Sequence, residues 1–248
     1  MSEDAARSFA FEVARATREL LGDGLYGAYL GGSLAFGDFV SDRSDVDVAL
    51  IAERSLTVEE KESLVDALKP LADRCPTRGL ELVVYSRAEA AASSWPPRFE
   101  VNLNAGPRMP FSVSFDPSVE PAHWFALDLA MLRDRGVPLA GPPPGEAFGG
   151  IPRERLLEAL VDSFAWHESN EAGSPSTVLN ACRAWRFAEE GIWSSKAEAA
   201  AWVQSRHGQA AVIDAAIEAR RAGEALEPAD VGAFVARVRQ ALTRGHAV

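Results

Sequence analysis

The stretch that decides the fold is residues 30–51, LGGSLAFGDFVSDRSDVDVALI. An apolar run ends at Leu30, a Gly31-Gly32-Ser33 turn follows, and after a polar interval Asp45 and Asp47 stand one residue apart at the head of a second apolar run, Val46 to Ile51. In an extended strand, side chains at i and i+2 share a face. The two carboxylates therefore project together while Val46, Val48 and Leu50 take the other side. Adjacent carboxylates repel unless something neutralises them. Two readings fit such a pair: a solvated strand end, or a site for a hard divalent cation such as Mg2+.

Working outward, the flanking pattern alternates helix and strand. Phe9, Val13, Ala16 and Leu20 recur at helical spacing over residues 3–21, with Gly22 placed to stop the helix. Strands are expected at 25–30, 46–52 and 80–85. A helix opened by a Thr57–Glu60 capping box is expected to run to about residue 73. Residues 93–122 carry six prolines that interrupt any period, although 111–115 could form a strand. A helix is expected over 124–135. Residues 141–152, GPPPGEAFGGIP, read as a linker. Beyond it the chain is rich in Ala, Glu and Arg, and helices are expected near 153–168, 175–190, 195–206, 209–222 and 228–243, with Ser174 capping and Pro175 opening the second. The expected domains are thus an α/β domain with a mixed sheet over 1–140 and an all-α helical bundle over 153–248.

The 248 residues carry 36 acids against 25 Lys and Arg, a formal charge of −11. Such a chain is poorly suited to generic nucleic-acid binding, which calls for basic residues, and well suited to attracting cations. Two cysteines without CxxC spacing imply neither a metal knuckle nor a disulfide framework. No signal-like segment or membrane span is legible, so a cytoplasmic protein is expected, with a monomer as the default.

A third acid stands in the strand LELVVYS. Glu81 alternates with Leu80, Leu82 and Val84, the placement of either an edge-strand acid in water or a member of the same site. The order of strand, Gly32-Ser33, about a dozen residues and Asp45-x-Asp47 on the next strand resembles the nucleotidyltransferase superfamily that includes the DNA polymerase β-like enzymes. The resemblance implies that the Gly-Ser turn holds triphosphate oxygens, that Asp45, Asp47 and Glu81 hold Mg2+, two ions by the family's pattern, and that Glu81 removes the acceptor's proton.

The second half, VLNACRAWRFAEEGIWSSKAEAAAW, resembles the streptomycin/spectinomycin (aminoglycoside) 3''-adenylyltransferases through Arg183, Trp185, Gly191, Ile192, Lys196 and Trp202. By that resemblance Gly32, Ser33, Ser44, Arg183 and Lys196 bind ATP, with Arg183 and Lys196 reaching the phosphates across a cleft between the domains. Trp166, Glu168 and Glu171 are candidates for a cationic small-molecule acceptor, the two acids being otherwise solvated at a helix end. The implied reaction moves AMP from ATP to a hydroxyl of an aminoglycoside or aminocyclitol-like molecule and releases pyrophosphate. The alternatives are the same chemistry on another metabolite or a protein, or a nucleotide-binding regulatory or antitoxin-like protein without catalysis. The chain departs from the family at Gly106, where members that modify streptomycin carry an aromatic residue, and in the short 167–176 stretch. An aspartate that contacts nucleotide in the family falls near Trp124 or Asp128 and is left unassigned.

Overall fold

A computed structural model describes residues 2–41, 43–92 and 94–244; the last four residues of the expected helical domain lie outside them. The chain divides into two compact units, Met1–Ile151 and Pro152–Val248.

The first unit runs α1 (Glu3–Leu21), β1 (Leu25–Leu30), α2 (Gly32–Phe36), β2 (Val46–Ala52), α3 (Val58–Ala72), β3 (Leu80–Ser86), α4 (Arg87–Ala92), β4 (Val101–Gly106), β5 (Met109–Ser114), α5 (Ala122–Arg135), β6 (Val137–Ala140) and α6 (Pro144–Ala147). Its mixed six-stranded sheet has the order β5-β4-β3-β2-β1-β6. The β2–β3 pair is parallel and joined through α3, whereas β1–β2, β1–β6, β3–β4 and β4–β5 are antiparallel. The capping box at Thr57 forms as expected: Glu60 donates its backbone N–H to Thr57 Oγ1 and accepts from the Thr57 N–H.

Strand alternation sorts the sheet into two faces. One carries Val46, Val48, Leu50, Leu80, Leu82, Val84, Val101, Leu103 and Ala105 against Phe9, Val13, Leu64 and Leu68 of α1 and α3. Each such large apolar side chain contributes about 1.5–3 kcal/mol by leaving water. The other face carries Tyr29, Ala49, Ile51 and Tyr85 under Phe125, Leu129 and Leu132 of α5, with Phe99 and Phe148. That second cluster stops short of Asp47 and Glu81, which share its face at one end of their strands.

The proline-rich stretch 93–122 holds β4, which the sequence reading left unassigned. Of residues 141–152, expected as a linker, all but Pro152 belong to the first unit, and they contain α6. Phe148 is 1% exposed and meets the Tyr29 ring edge-on at 4.9 Å, and the Tyr29 hydroxyl donates to the Pro142 carbonyl. Apolar Ala147 and Phe148 outweigh the surrounding breakers.

The second unit comprises α7 (Arg153–Asn170), α8 (Pro175–Glu190), α9 (Lys196–His207), α10 (Ala210–Ala222) and α11 (Pro228–Arg244). Helix α8 packs against each of the other four. Nine of its residues, including Val178, Cys182, Trp185 and Phe187, are buried. Ser174 occupies the N-cap of α8 but makes no side-chain capping bond. Among the described residues no helix is long and apolar enough to cross a membrane.

Candidate active site

The site grows from the β2–β3 register. Asp47 and Glu81 are direct partners across the parallel pair, so their side chains leave the same face side by side. Asp45 lies two residues before Asp47 and shares that face. Glu81 is partly buried, and its carboxyl is pushed well above the ordinary carboxylate range. Burial is the largest cause, followed by the charges of Asp47 and Asp45, a carboxyl–carboxyl contact with Asp45, and the charge of Asp128 on α5. Asp128 is therefore the aspartate of α5 that bears on the site, and it is solvent-exposed.

Asp45 is held from the other side by Arg78, whose Nη1 stands 3.4 Å from Oδ2. Its Oδ1 is buried without a hydrogen-bond partner. The Gly-Ser turn packs directly on this cluster. The Gly31 N–H donates to the Asp47 carbonyl at 2.9 Å. Gly32 has φ 53°, and any Cβ there would run into the Asp47 carboxylate. The turn and the carboxylates are thus one assembly, with Ser33 Oγ buried beside it and lacking a partner. Ser44, expected at the nucleotide, is 6% exposed and accepts the Val40 N–H on its Oγ, so one of its capacities closes the loop before β2.

Among the described residues no group of three or more His, Cys, Asp and Glu side chains is gathered so as to hold a metal ion as it stands. The donor chemistry nevertheless suits one. Asp47, Asp45 and Asp128 each press on Glu81, and a buried carboxylate oxygen of Asp45 lacks a partner. A hard cation with oxygen preference relieves both conditions.

Within the helical unit, Arg183 Nε donates to the Ser194 carbonyl at 2.9 Å, which ties Arg183 to the segment leading into Lys196. Lys196 opens α9 directly after its N-cap Ser195, inside a Ser195–Glu198 capping box. The two cations expected at the phosphates are therefore set by the same α8–α9 connection. The glycine and the two tryptophans of the motif are engaged within the helical unit. Gly191 ends α8 at φ 71°. Trp185 and Trp202 donate their indole N–H groups to the successive acids Glu189 and Glu190, each at 2.8 Å.

Of the acceptor candidates, Trp166 meets the His167 ring edge-on at 5.1 Å. Glu168 accepts from Arg239 of α11 at 3.0 Å, and Glu171 pairs with His167 Nδ1 at 2.9 Å. Both acids are exposed at the end of α7, as the sequence reading allowed, and each has an ionic partner there.

Sequence reasoning missed Arg78 and left Asp128 unassigned. It also missed Asn104, which pairs with Glu81 from β4. Only the alternation of Asn102 and Asn104 with Val101, Leu103 and Ala105 could have signalled the last of these.

Residues 146–244 match the family described as aminoglycoside adenylyltransferase, C-terminal domain. The crystal structure of spectinomycin adenyltransferase AAD(9) from Enterococcus faecialis with ATP and spectinomycin is similar in fold, with TM-score 0.72 and 19% identity. The match covers 96% of this chain and 99% of that one. No curated protein sequence matches the chain.

Proposed function

We propose that this chain is an adenylyltransferase that moves AMP from ATP to a hydroxyl of an aminoglycoside or aminocyclitol-like small molecule. The observation that carries the reading is the crowding of Glu81 against Asp47, whose carboxylate packs in turn on the Gly31-Gly32 backbone. The similarity of residues 146–244 to the adenylyltransferase C-terminal domain adds to it.

Asp45, Asp47 and Glu81 would hold Mg2+. When bound it supplies charge neutralisation for the triphosphate and acidifies the acceptor hydroxyl. The chain's own residues do the rest. The turn at Gly32 and the Ser33 hydroxyl orient phosphate oxygens. The acceptor oxygen forms a bond to the α-phosphorus, the bond from that phosphorus to the bridging oxygen breaks, and pyrophosphate leaves. The proton released by the acceptor passes to the Glu81 carboxylate, which stands directly opposite Asp47. Arg183 and Lys196 offset charge on the phosphates as pyrophosphate departs. Ser44 serves the nucleotide through the loop it closes.

We place Trp166, Glu168 and Glu171 on the acceptor side. An amine binding Glu168 would share its carboxylate with Arg239, which bonds one of its oxygens. Two unpaired, buried cysteines and the need for ATP suit a cytoplasmic setting.

The test is ATP-dependent pyrophosphate release across a panel of amino sugars and aminocyclitols that includes spectinomycin and streptomycin. Release that requires one of these acceptors, with an adenylylated product found by mass spectrometry, is the expected result. Absence of release with every member would remove the reading.

A further inference from the structure

Asp47, Glu81, Asn104 and Ser112 form a single row across four adjacent strands. Each is the direct partner of the next, Asp47 to Glu81, Glu81 to Asn104 and Asn104 to Ser112. Paired residues on neighbouring strands project to the same face, and the strands lie about 4.7–4.9 Å apart. Leu103 and Ala105, on either side of Asn104, are buried in the core of the opposite face. Asn104 therefore stands beside Glu81, on the side away from Asp47.

The character of the row changes along its length, from two carboxylates to an amide and then a hydroxyl. Strand β4 offers little else on this face. Asn102 is 9% exposed. Gly106 has no side chain and has no room for one, because a Cβ there would run into the Gly79 backbone and stand 2.8 Å from the Arg78 carbonyl. Asn104 is thus the last side chain that β4 presents on this face, and it is one strand away from Glu81.

We infer that Asn104 determines acceptor specificity by hydrogen-bonding a hydroxyl next to the one whose proton Glu81 takes. The inference rests on adenylyl transfer at Glu81. An amide both donates and accepts, as a hydroxyl does, so it can be satisfied by a polyhydroxylated ring in either hydroxyl orientation. Being neutral, it also adds nothing to the repulsion that already raises Glu81.

The experiment compares wild type with Asn104→Ala and Asn104→Asp, using spectinomycin, streptomycin and deoxy analogues of spectinomycin lacking single ring hydroxyls. Loss of one neutral hydrogen bond corresponds to about threefold to tenfold. Asn104→Ala should raise the acceptor KM by that factor while the KM for ATP stays unchanged. One deoxy analogue should lose the same factor with wild type and lose nothing further with Asn104→Ala. Asn104→Asp keeps the size but brings a third charge to the row, and should be the poorer of the two. In parallel, calorimetry measures spectinomycin binding to Glu81→Gln with and without Asn104→Ala, in the presence of ATP and Mg2+. Wild type that transfers AMP, with an Asn104→Ala variant of unchanged acceptor KM, would overturn the role of Asn104 alone. Wild type that releases no pyrophosphate would overturn the transfer reading. In that case an Asn104→Ala change that leaves spectinomycin binding unaltered overturns the inference as well.

Discussion

Asp47 and Glu81 face each other as direct partners on two parallel strands. Like charges directly opposite in a sheet are destabilising, and burial together with the charges of Asp47 and Asp45 raises the proton affinity of Glu81 above that of an ordinary acid. Replacing Glu81 by Gln removes the repulsion at nearly constant size. The variant should melt a few degrees higher than wild type without added metal, about 2–4 °C per kcal/mol for a unit of this size. Transfer should fall by about 10²–10⁴-fold while Mg2+-dependent ATP binding is largely kept. A lower melting temperature would contradict the crowding, and parallel loss of ATP affinity would make Glu81 chiefly a metal ligand.

Asp47→Asn should abolish turnover. It removes one charged ligand from the proposed cation site and leaves the strand pairing intact. Calorimetry should register weaker ATP binding in Mg2+ and little difference in its absence. Normal turnover would dispose of the metal assignment.

Gly32→Ala tests how closely the turn and the carboxylates are coupled. The left-handed φ and the collision of a Cβ with the Asp47 carboxylate both oppose the substitution. Strain of this kind costs about 1–3 kcal/mol, and displacement of Asp47 by about 1 Å would lower the transfer rate by ~10²-fold. Urea unfolding and steady-state rates measure the two effects separately. An active, equally stable variant would mean that the turn can be moved without consequence.

Lys196→Ala should weaken ATP binding by full-length protein. Lys196 opens α9 beside the segment anchored by Arg183, and Arg183→Ala should act in the same direction. Unchanged ATP affinity in both variants would exclude the α8–α9 connection from phosphate binding.

The start of α3 gives a pH prediction. Glu60 is held at about 2, first by hydrogen bonds from Arg54 and then by the Thr57 backbone. A folded value below the unfolded one, about 4.3, means that the contribution is complete above the unfolded value. It is lost as pH falls toward 2. Glu60→Gln should therefore narrow the gap between melting temperatures at pH 6 and pH 3. Thr57→Ala, which removes the reciprocal cap, should cost about 1 kcal/mol at neutral pH. A Glu60→Gln variant with the full wild-type pH dependence would assign acid sensitivity elsewhere.

Where one period governed a segment, the sequence was enough. Helix α1, strands β1 and β2, and the capping box of α3 fall where spacing and end signals put them. Strand β4 was hidden because its three core residues, Val101, Leu103 and Ala105, lie among prolines at 96, 97, 107 and 110 that read as breakers. Its register becomes evident only once β3 lies beside it. Strand β6 tolerates Pro138 because it lies at the sheet edge. At the site, the two aspartates and Glu81 were legible from alternation. Arg78 at Asp45 and Asp128 near Glu81 were not, since each bears on the site across a turn of tertiary structure with no local pattern. The pairing of Glu168 with Arg239, 71 residues later, belongs to the same class.

The closeness of Gly79 and Gly106 limits which side chains β4 can carry near Glu81. Any mutation at 106 introduces a Cβ that the β3–β4 contact has no space for. Gly79 is equally closed, since a Cβ there would stand 2.7 Å from Met109 Cβ and 2.9 Å from the Ala105 carbonyl. A lineage cannot reach a bulky residue at 106 in one step without parting the strands beside Glu81. Position 104 already presents a side chain opposite Glu81, so under the proposed chemistry single mutations would act one strand over from the carboxyl rather than at 106.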